Sequence, residues 1–288
     1  MIKQQVFLLL FFVPGLLFSF QWPVKDPVLL ATFAEDSNHA FSEGVSIEGS
    51  GKTVKPISSG EVVFYHKENN RQGDIPAPLG NLIVLQHRRG IYSFYAHLEN
   101  IKVDDSRFLV TENTSLGSIG SSGMSRGQAL FFALLDGEFE QFVNPLLSLP
   151  SIQDTERPEI GSLFLSTAHT QEKVIKGKTL IPGTYTAAVE IRDFSNNVSF
   201  YCPLAPYSID LYVNGELKKS IKFEFITLKA GRRVLQNTHL TFSDLYKGSW
   251  LFSVGSLDLL PGDTRIELSV KDFEGNETTK TFRIKSVE

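Results

Sequence analysis

Past residue 20 the chain is built almost wholly from short apolar alternations cut by Gly, Pro, Asn and Asp, and no stretch sustains a helical period. Val62 to Tyr65, Leu82 to Leu85, Ile91 to Tyr95 and Leu130 to Leu135 are rich in branched and aromatic residues and bounded by turn formers. Such a chain can bury its apolar side chains only by stacking or closing sheets, so the fold class is all-β. The segment from Lys67 to Gly80, with Gly73, Pro76 and Pro78, reads as a surface loop between two strands.

With 288 residues, 42% hydrophobic and 21% charged, the chain has material for two ordinary domains. Asn144-Pro145-Leu146 and Leu149-Pro150 close the first half, and Ser151 to Pro158 is a polar connection, which sets a boundary near residue 152. Beyond it, Ser162 to Leu165, Tyr185 to Ile191, Ser208 to Val213, Ile221 to Ile226, Ile266 to Val270 and Thr281 to Ile284 alternate like strands. Many short strands at this spacing predict an Ig-like β-sandwich over residues 153–288. Val189 to Asn197 is echoed by Leu268 to Asn276, each an alternating strand running into an Asp/Asn turn. Ordinary turn chemistry at two sandwich corners accounts for the echo. A calcium site on Asp193 and Asp272 is the alternative, and it needs more oxygen ligands than the spacing supplies.

The start, Met1-Ile2-Lys3 followed by an apolar run from Val6 to Phe20, has the form of a secretory signal or N-terminal anchor over residues 1–20. The run is shorter than the roughly 20 residues that a spanning helix needs. Cleavage is expected between Ser19 and Gln21, which sends the chain to the periplasm or cell envelope, with membrane attachment only through an uncleaved anchor. The one cysteine, Cys202, cannot form an intrachain disulfide, and its neighbours Phe200, Tyr201 and Pro203 suit a buried thiol. A net charge of -4 and the lack of a dense Lys/Arg run argue against nucleic acid as a partner.

Residues 21–152 carry an ordered series of short motifs. Ala31 to Glu35 is followed by Phe41-Ser42-Glu43-Gly44-Val45-Ser46-Ile47, Val54 to Val63, Gly80 to His87 and Gly90 to Leu98, the last ending in Tyr95-Ala96-His97-Leu98. Leu116 to Gly123 and Val143-Asn144-Pro145-Leu146 complete the series. In order and spacing this segment resembles the LytM or lysostaphin-type zinc peptidases, family 23, which cut peptidoglycan cross-bridges. The resemblance implies a lysostaphin-type β-sheet domain, a duplicated hybrid motif, ahead of the sandwich.

The resemblance also implies where chemistry should sit. The family's zinc is held by the histidine and aspartate of H-x-G-x-D and by the last histidine of H-x-H, leaving one position for an activated water. The matching residues here are Ser42, Ser46 and Phe131, and the first histidine of H-x-H matches Ala129. Serine hydroxyls are poor zinc ligands and phenylalanine has no donor atom, so neither zinc nor any other cofactor is expected. His97 alone remains of the family's set. His39, His66 and His87 are the nearest substitutes: His39 is displaced from the lost ligand position, His66 adjoins the loop, and His87 matches a position that is not a ligand in the family.

The expected site is therefore a vestigial groove formed by His97, Tyr95, Ser42, Ser46, Ala129 and Phe131, either plugged by its aromatic side chains or remodelled to bind. The implied function is that of a non-catalytic homologue in the bacterial envelope, binding or regulating peptidoglycan hydrolases or wall components. Its partner would be an envelope protein such as a wall hydrolase, or peptidoglycan itself. The competing reading is an active zinc-dependent peptidoglycan endopeptidase with atypical ligands.

Overall fold

The computed structural model describes residues 20–68, 77–103, 108–168, 170–175, 179–196 and 203–287. The signal-like run before Phe20, Cys202 and the middle of the Lys67 to Gly80 loop lie outside them. Among the described residues the chain forms three sheets, one of twelve strands and two of five.

In the large sheet the central strands Asn81–Gln86, Ile91–Ile101 and Leu130–Asp136 run antiparallel, with Gly60–His66 and Leu109–Val110 on one side. Val45–Glu48 pairs with Leu130–Asp136 on one edge and with Val28–Ala31 on the other. Period-two burial follows directly from the sequence: Val45 and Ile47 are buried while Ser46 is half-buried, and Leu130 and Phe132 are buried while Phe131 is half-buried. Gly44 lets the neighbouring strand approach, because a Cβ at that position would lie 2.3 Å from the Phe132 carbonyl oxygen. Trp22 donates its indole N–H to the Pro150 carbonyl at 2.8 Å and so ties the start of this unit to its end.

The two five-stranded sheets stack as a β-sandwich. One contributes Leu163, Leu165, Ala187, Val189, Phe252 and Val254 to the core, and the other contributes Ile209, Leu211, Ile266, Leu268, Val270 and Ile284. The long strand Leu251–Leu259, which pairs with Gly183–Arg192, has no counterpart among the strands expected from sequence. At the two echoed corners, Asp272 accepts hydrogen bonds from the backbone N–H groups of Glu274 and Asn276 and from Asn276 Nδ2, while Asp193 accepts from the Phe194 N–H.

A single strand over Ile221 to Ile226 does not form. Ile221 belongs to Glu216–Lys222 in the sandwich, whereas Ile226 lies in Phe225–Lys229, which pairs with Gln141–Val143 of the large sheet. Phe225–Lys229 and Arg232–Leu235 thus form a hairpin that extends the first sheet from beyond residue 152. The crossing is fixed by Asn144, whose side-chain amide donates to the Phe223 carbonyl at 2.7 Å and whose N–H donates to the Glu224 carbonyl at 2.8 Å. Elsewhere Thr32 Oγ1 donates to the Ala205 carbonyl and accepts from its N–H, and Arg233 pairs with Glu43. The apolar side chains of all three sheets form one continuous core.

Candidate functional site

Ser42, Ser46, His97, Ala129 and Phe131 all line one cavity of about 640 Å³. Register brings them together: Ser46 pairs directly with Phe131, and Phe131 pairs with Ala96, the residue before His97. Of the two alternatives, a groove plugged by aromatic side chains and an open one, the open one forms. Phe131 lies against one wall, with its ring 6.2 Å from that of His97 in an edge-on arrangement, and the space beside it stays open.

Tyr95 is the correction. The resemblance-based groove sets it beside His97. Between the pairs Ile83↔Tyr95 and Asn81↔Leu98, however, the strand carries a bulge that takes up Ala96 and His97, and His97 adopts a φ of 62°. Tyr95 consequently points the other way, fully buried against Phe132, with its hydroxyl accepting from the Ile57 N–H and from Ser93 Oγ. Burial pushes that hydroxyl far above its ordinary range, although the Ser93 and Ile57 hydrogen bonds pull the other way.

His97 is held by its neighbours. Its Nδ1 lies 2.9 Å from the Ser122 carbonyl, which can only accept, so Nδ1 carries the proton and Nε2 is the basic nitrogen of the neutral ring. Burial keeps the imidazole below its ordinary pKa, opposed by the Ser122 hydrogen bond and by the charge of Glu68. Ser42 Oγ donates to the Gly44 carbonyl at 2.9 Å. His39 also lines the cavity. It reaches the cavity from a tight turn, Ser37 to Ala40, in which Asn38 and His39 both adopt positive φ.

Glu35, Asp36, Arg126, Gln128, Tyr246 and Trp250 also line the cavity, and sequence reasoning missed all of them. Glu35 could have been noticed as an acidic residue inside the Ala31 to Glu35 motif. One of its oxygens accepts from the Thr32 N–H, while the other is buried with no hydrogen-bond partner. Burial pushes this carboxyl up to about 8; the Thr32 and Ala205 N–H groups lower it and Asp36 raises it further. Tyr246 and Trp250 come from the C-terminal region, and Tyr246 donates its hydroxyl to the Ala34 carbonyl at 3.0 Å.

At the positions where the resemblance would put zinc ligands, Ser42 and Ser46 offer neutral hydroxyls and Phe131 offers no donor atom, a set that does not fit a catalytic zinc; among the described residues no three His, Cys, Asp or Glu side chains are grouped so as to hold a metal. His87 is buried and does not line the cavity. Its Nε2 meets Ser93 Oγ at 2.7 Å and its Nδ1 meets Ser58 Oγ at 3.0 Å, inside the core network that also holds Tyr95. Burial keeps its pKa below the ordinary histidine value.

Comparison with known proteins bears on the same segment. Residues 40–145 match the model of Peptidase family M23, and a second family model, which carries no description, matches residues 157–287. The chain is 31% identical over 103 residues to outer membrane antigenic lipoprotein B of Histophilus somni, covering 35% of this chain and 27% of that protein. It is 28% identical over 133 residues to the murein hydrolase activator NlpD of Escherichia coli, covering 46% of this chain and 31% of that protein. The chain thus spans about a third or less of the length of these curated relatives. Among solved structures, the catalytic domain of lysostaphin from Staphylococcus simulans aligns at 24% identity and a TM-score of 0.34, over 40% of this chain and 86% of that one. Over residues 40–145, this chain is similar to peptidase family M23.

Proposed function

We propose that the protein is a non-catalytic M23 module of the bacterial cell envelope, exported by its N-terminal segment, that binds or regulates wall hydrolases or wall components through the old catalytic groove. The observation that carries this reading is the residue set itself: Ser42, Ser46, Ala129 and Phe131 surround an open cavity in which a zinc peptidase would need three metal ligands and a histidine. A cavity that is open but lined at those positions by hydroxyls and an apolar ring suits recognition better than zinc chemistry. The likeness to a murein hydrolase activator and to outer membrane lipoproteins supports an envelope role with protein partners.

Purified under gentle conditions, the protein is expected to contain no stoichiometric zinc and to leave peptidoglycan uncleaved with or without added zinc. Stoichiometric zinc together with chelator-sensitive cleavage would overturn the proposal in favour of an active endopeptidase with atypical ligands. Restoring the family residues in one variant, Ser42→His, Ser46→Asp, Ala129→His and Phe131→His, is expected to create zinc affinity, measurable by equilibrium dialysis. Replacing the half-buried Phe131 by a polar ring should cost stability on the order of 2 kcal/mol in that variant.

A further inference from the structure

We infer that the cavity is a glycan site whose stacking platform, Trp250, is supplied by the C-terminal region, and that its ligand is an uncharged N-acetylated amino-sugar chain. This rests on the non-catalytic binding reading and names the ligand class for the same cavity. Trp250 lies outside the matched residues 40–145, so the family likeness does not account for it.

The placement of Trp250 is unusual in a way that favours a ligand role. It sits in the two-residue connection between Tyr246–Gly248 and Leu251–Leu259, with a φ of 62°. Turn positions of this kind ordinarily take Gly or Asn, and a bulky side chain there is strained. The backbone is fixed by the Trp250 carbonyl, which accepts from the Ile191 N–H at 2.9 Å. The indole is only half-buried and lines the cavity, so burial of the ring in the core does not repay the strain.

What shares the cavity with it is chemically specific. Asn38, His39, Arg126 and Gln128 offer planar polar groups, and Arg126 Nη2 donates to Asn38 Oδ1 at 2.7 Å, which presets both. A sugar ring presents an apolar C–H face to an aromatic plane and a rim of hydroxyl and acetamido groups to planar donors and acceptors. Asp36 and Arg126 oppose each other in sign, so the walls do not select a strongly charged ligand. An extended peptide is the poorer fit. Val45–Glu48, the strand that carries Ser46, is already paired on both edges by Val28–Ala31 and Leu130–Asp136 and offers no open ladder for an added strand.

The test uses the β-1,4 tetramer of N-acetylglucosamine as probe. Trp22 and Trp250 are the two tryptophans of the chain, so Trp22→Phe leaves Trp250 as the single indole reporter. The tetramer is expected to shift Trp250 emission saturably. By calorimetry, Trp250→Gly, which suits the backbone and should keep or raise the melting temperature, is expected to weaken binding at least about tenfold. Trp250→Phe should retain affinity to within about fivefold because it keeps an aromatic face. No saturable binding of the tetramer at millimolar concentration, or equal binding by wild type and Trp250→Gly, overturns the inference. Binding of a sugar-free stem peptide in place of the tetramer overturns it too, while leaving the non-catalytic reading intact. Zinc-dependent cleavage removes that reading whatever the glycan result.

Discussion

Two histidines of one sheet, His87 just past the end of Asn81–Gln86 and His97 within Ile91–Ile101, have been given opposite surroundings. His87 is closed in: both ring nitrogens meet hydroxyls, Ser93 passes the network to Tyr95, and Tyr95 passes it to the Ile57 N–H. His97 has one nitrogen fixed by a carbonyl while the other belongs to a ring that faces an open cavity. The same residue type therefore serves as a core strut in one place and as a wall of a binding space in the other. What separates them is satisfaction: a network whose members all have partners specifies structure, and a group left with spare capacity beside a void can take a ligand.

The comparison breaks most visibly at His87. His87→Ala should remove three ring contacts, to Ser93 Oγ, Ser58 Oγ and the Ser59 carbonyl, and open a small polar void, for a loss of about 2–4 kcal/mol in a denaturant titration. A loss under about 1 kcal/mol would mean that the closed network is not a structural support.

Glu35 sharpens the contrast from the cavity side. Folded, its carboxyl holds a proton up to about pH 8; unfolded, it releases it near 4.5. Between those values folding takes up a proton, so this group's contribution is fully present at low pH and is lost as pH rises through about 8. Asp193 acts in the same direction: burial, then Asp272 and Asp154, push it up to about 8 from 3.8. Glu35→Gln is expected to flatten the decline in stability between about pH 5 and 8 and to stabilise the protein at pH 8 by on the order of 1–3 kcal/mol. Melting temperatures across that range provide the check. An unchanged slope would show that the carboxyl is solvated and ionised.

The order of motifs from Phe41 to Leu146 was enough to expect the first sheet, and the resemblance those motifs carry was what put Ser42, Ser46, Ala129, Phe131 and His97 in one groove; strand alternation alone would not have joined them, because the register that does so links strands far apart in sequence. Tyr95 was misread because a one-residue bulge reverses the face of everything after it, and Tyr95-Ala96-His97 carries no Gly or Pro to announce one. The hairpin at Phe225–Leu235 was read as sandwich because an alternating run says that it needs a sheet but not which one. Asn144, 79 residues away, makes that choice. Trp250 had no signal at all: its role depends on a wall built from two distant parts of the chain.

The smallest expected effect is at His97. Its ring is half-buried beside a cavity that is already open, so His97→Ala enlarges an existing space and gives up one hydrogen bond whose carbonyl partner lies in a half-buried loop. The cost should stay within about 1 kcal/mol. His97→Gln is the stricter variant, since its amide can still donate to the Ser122 carbonyl while lacking a titratable nitrogen. If both variants melt within a few degrees of wild type, and His87→Ala does not, then the two histidines differ in role as their surroundings imply. If His97→Ala instead proves as costly as His87→Ala, the bulge at Ala96 and His97 is a structural joint, and the histidine has been kept to hold the sheet together and not to face a ligand.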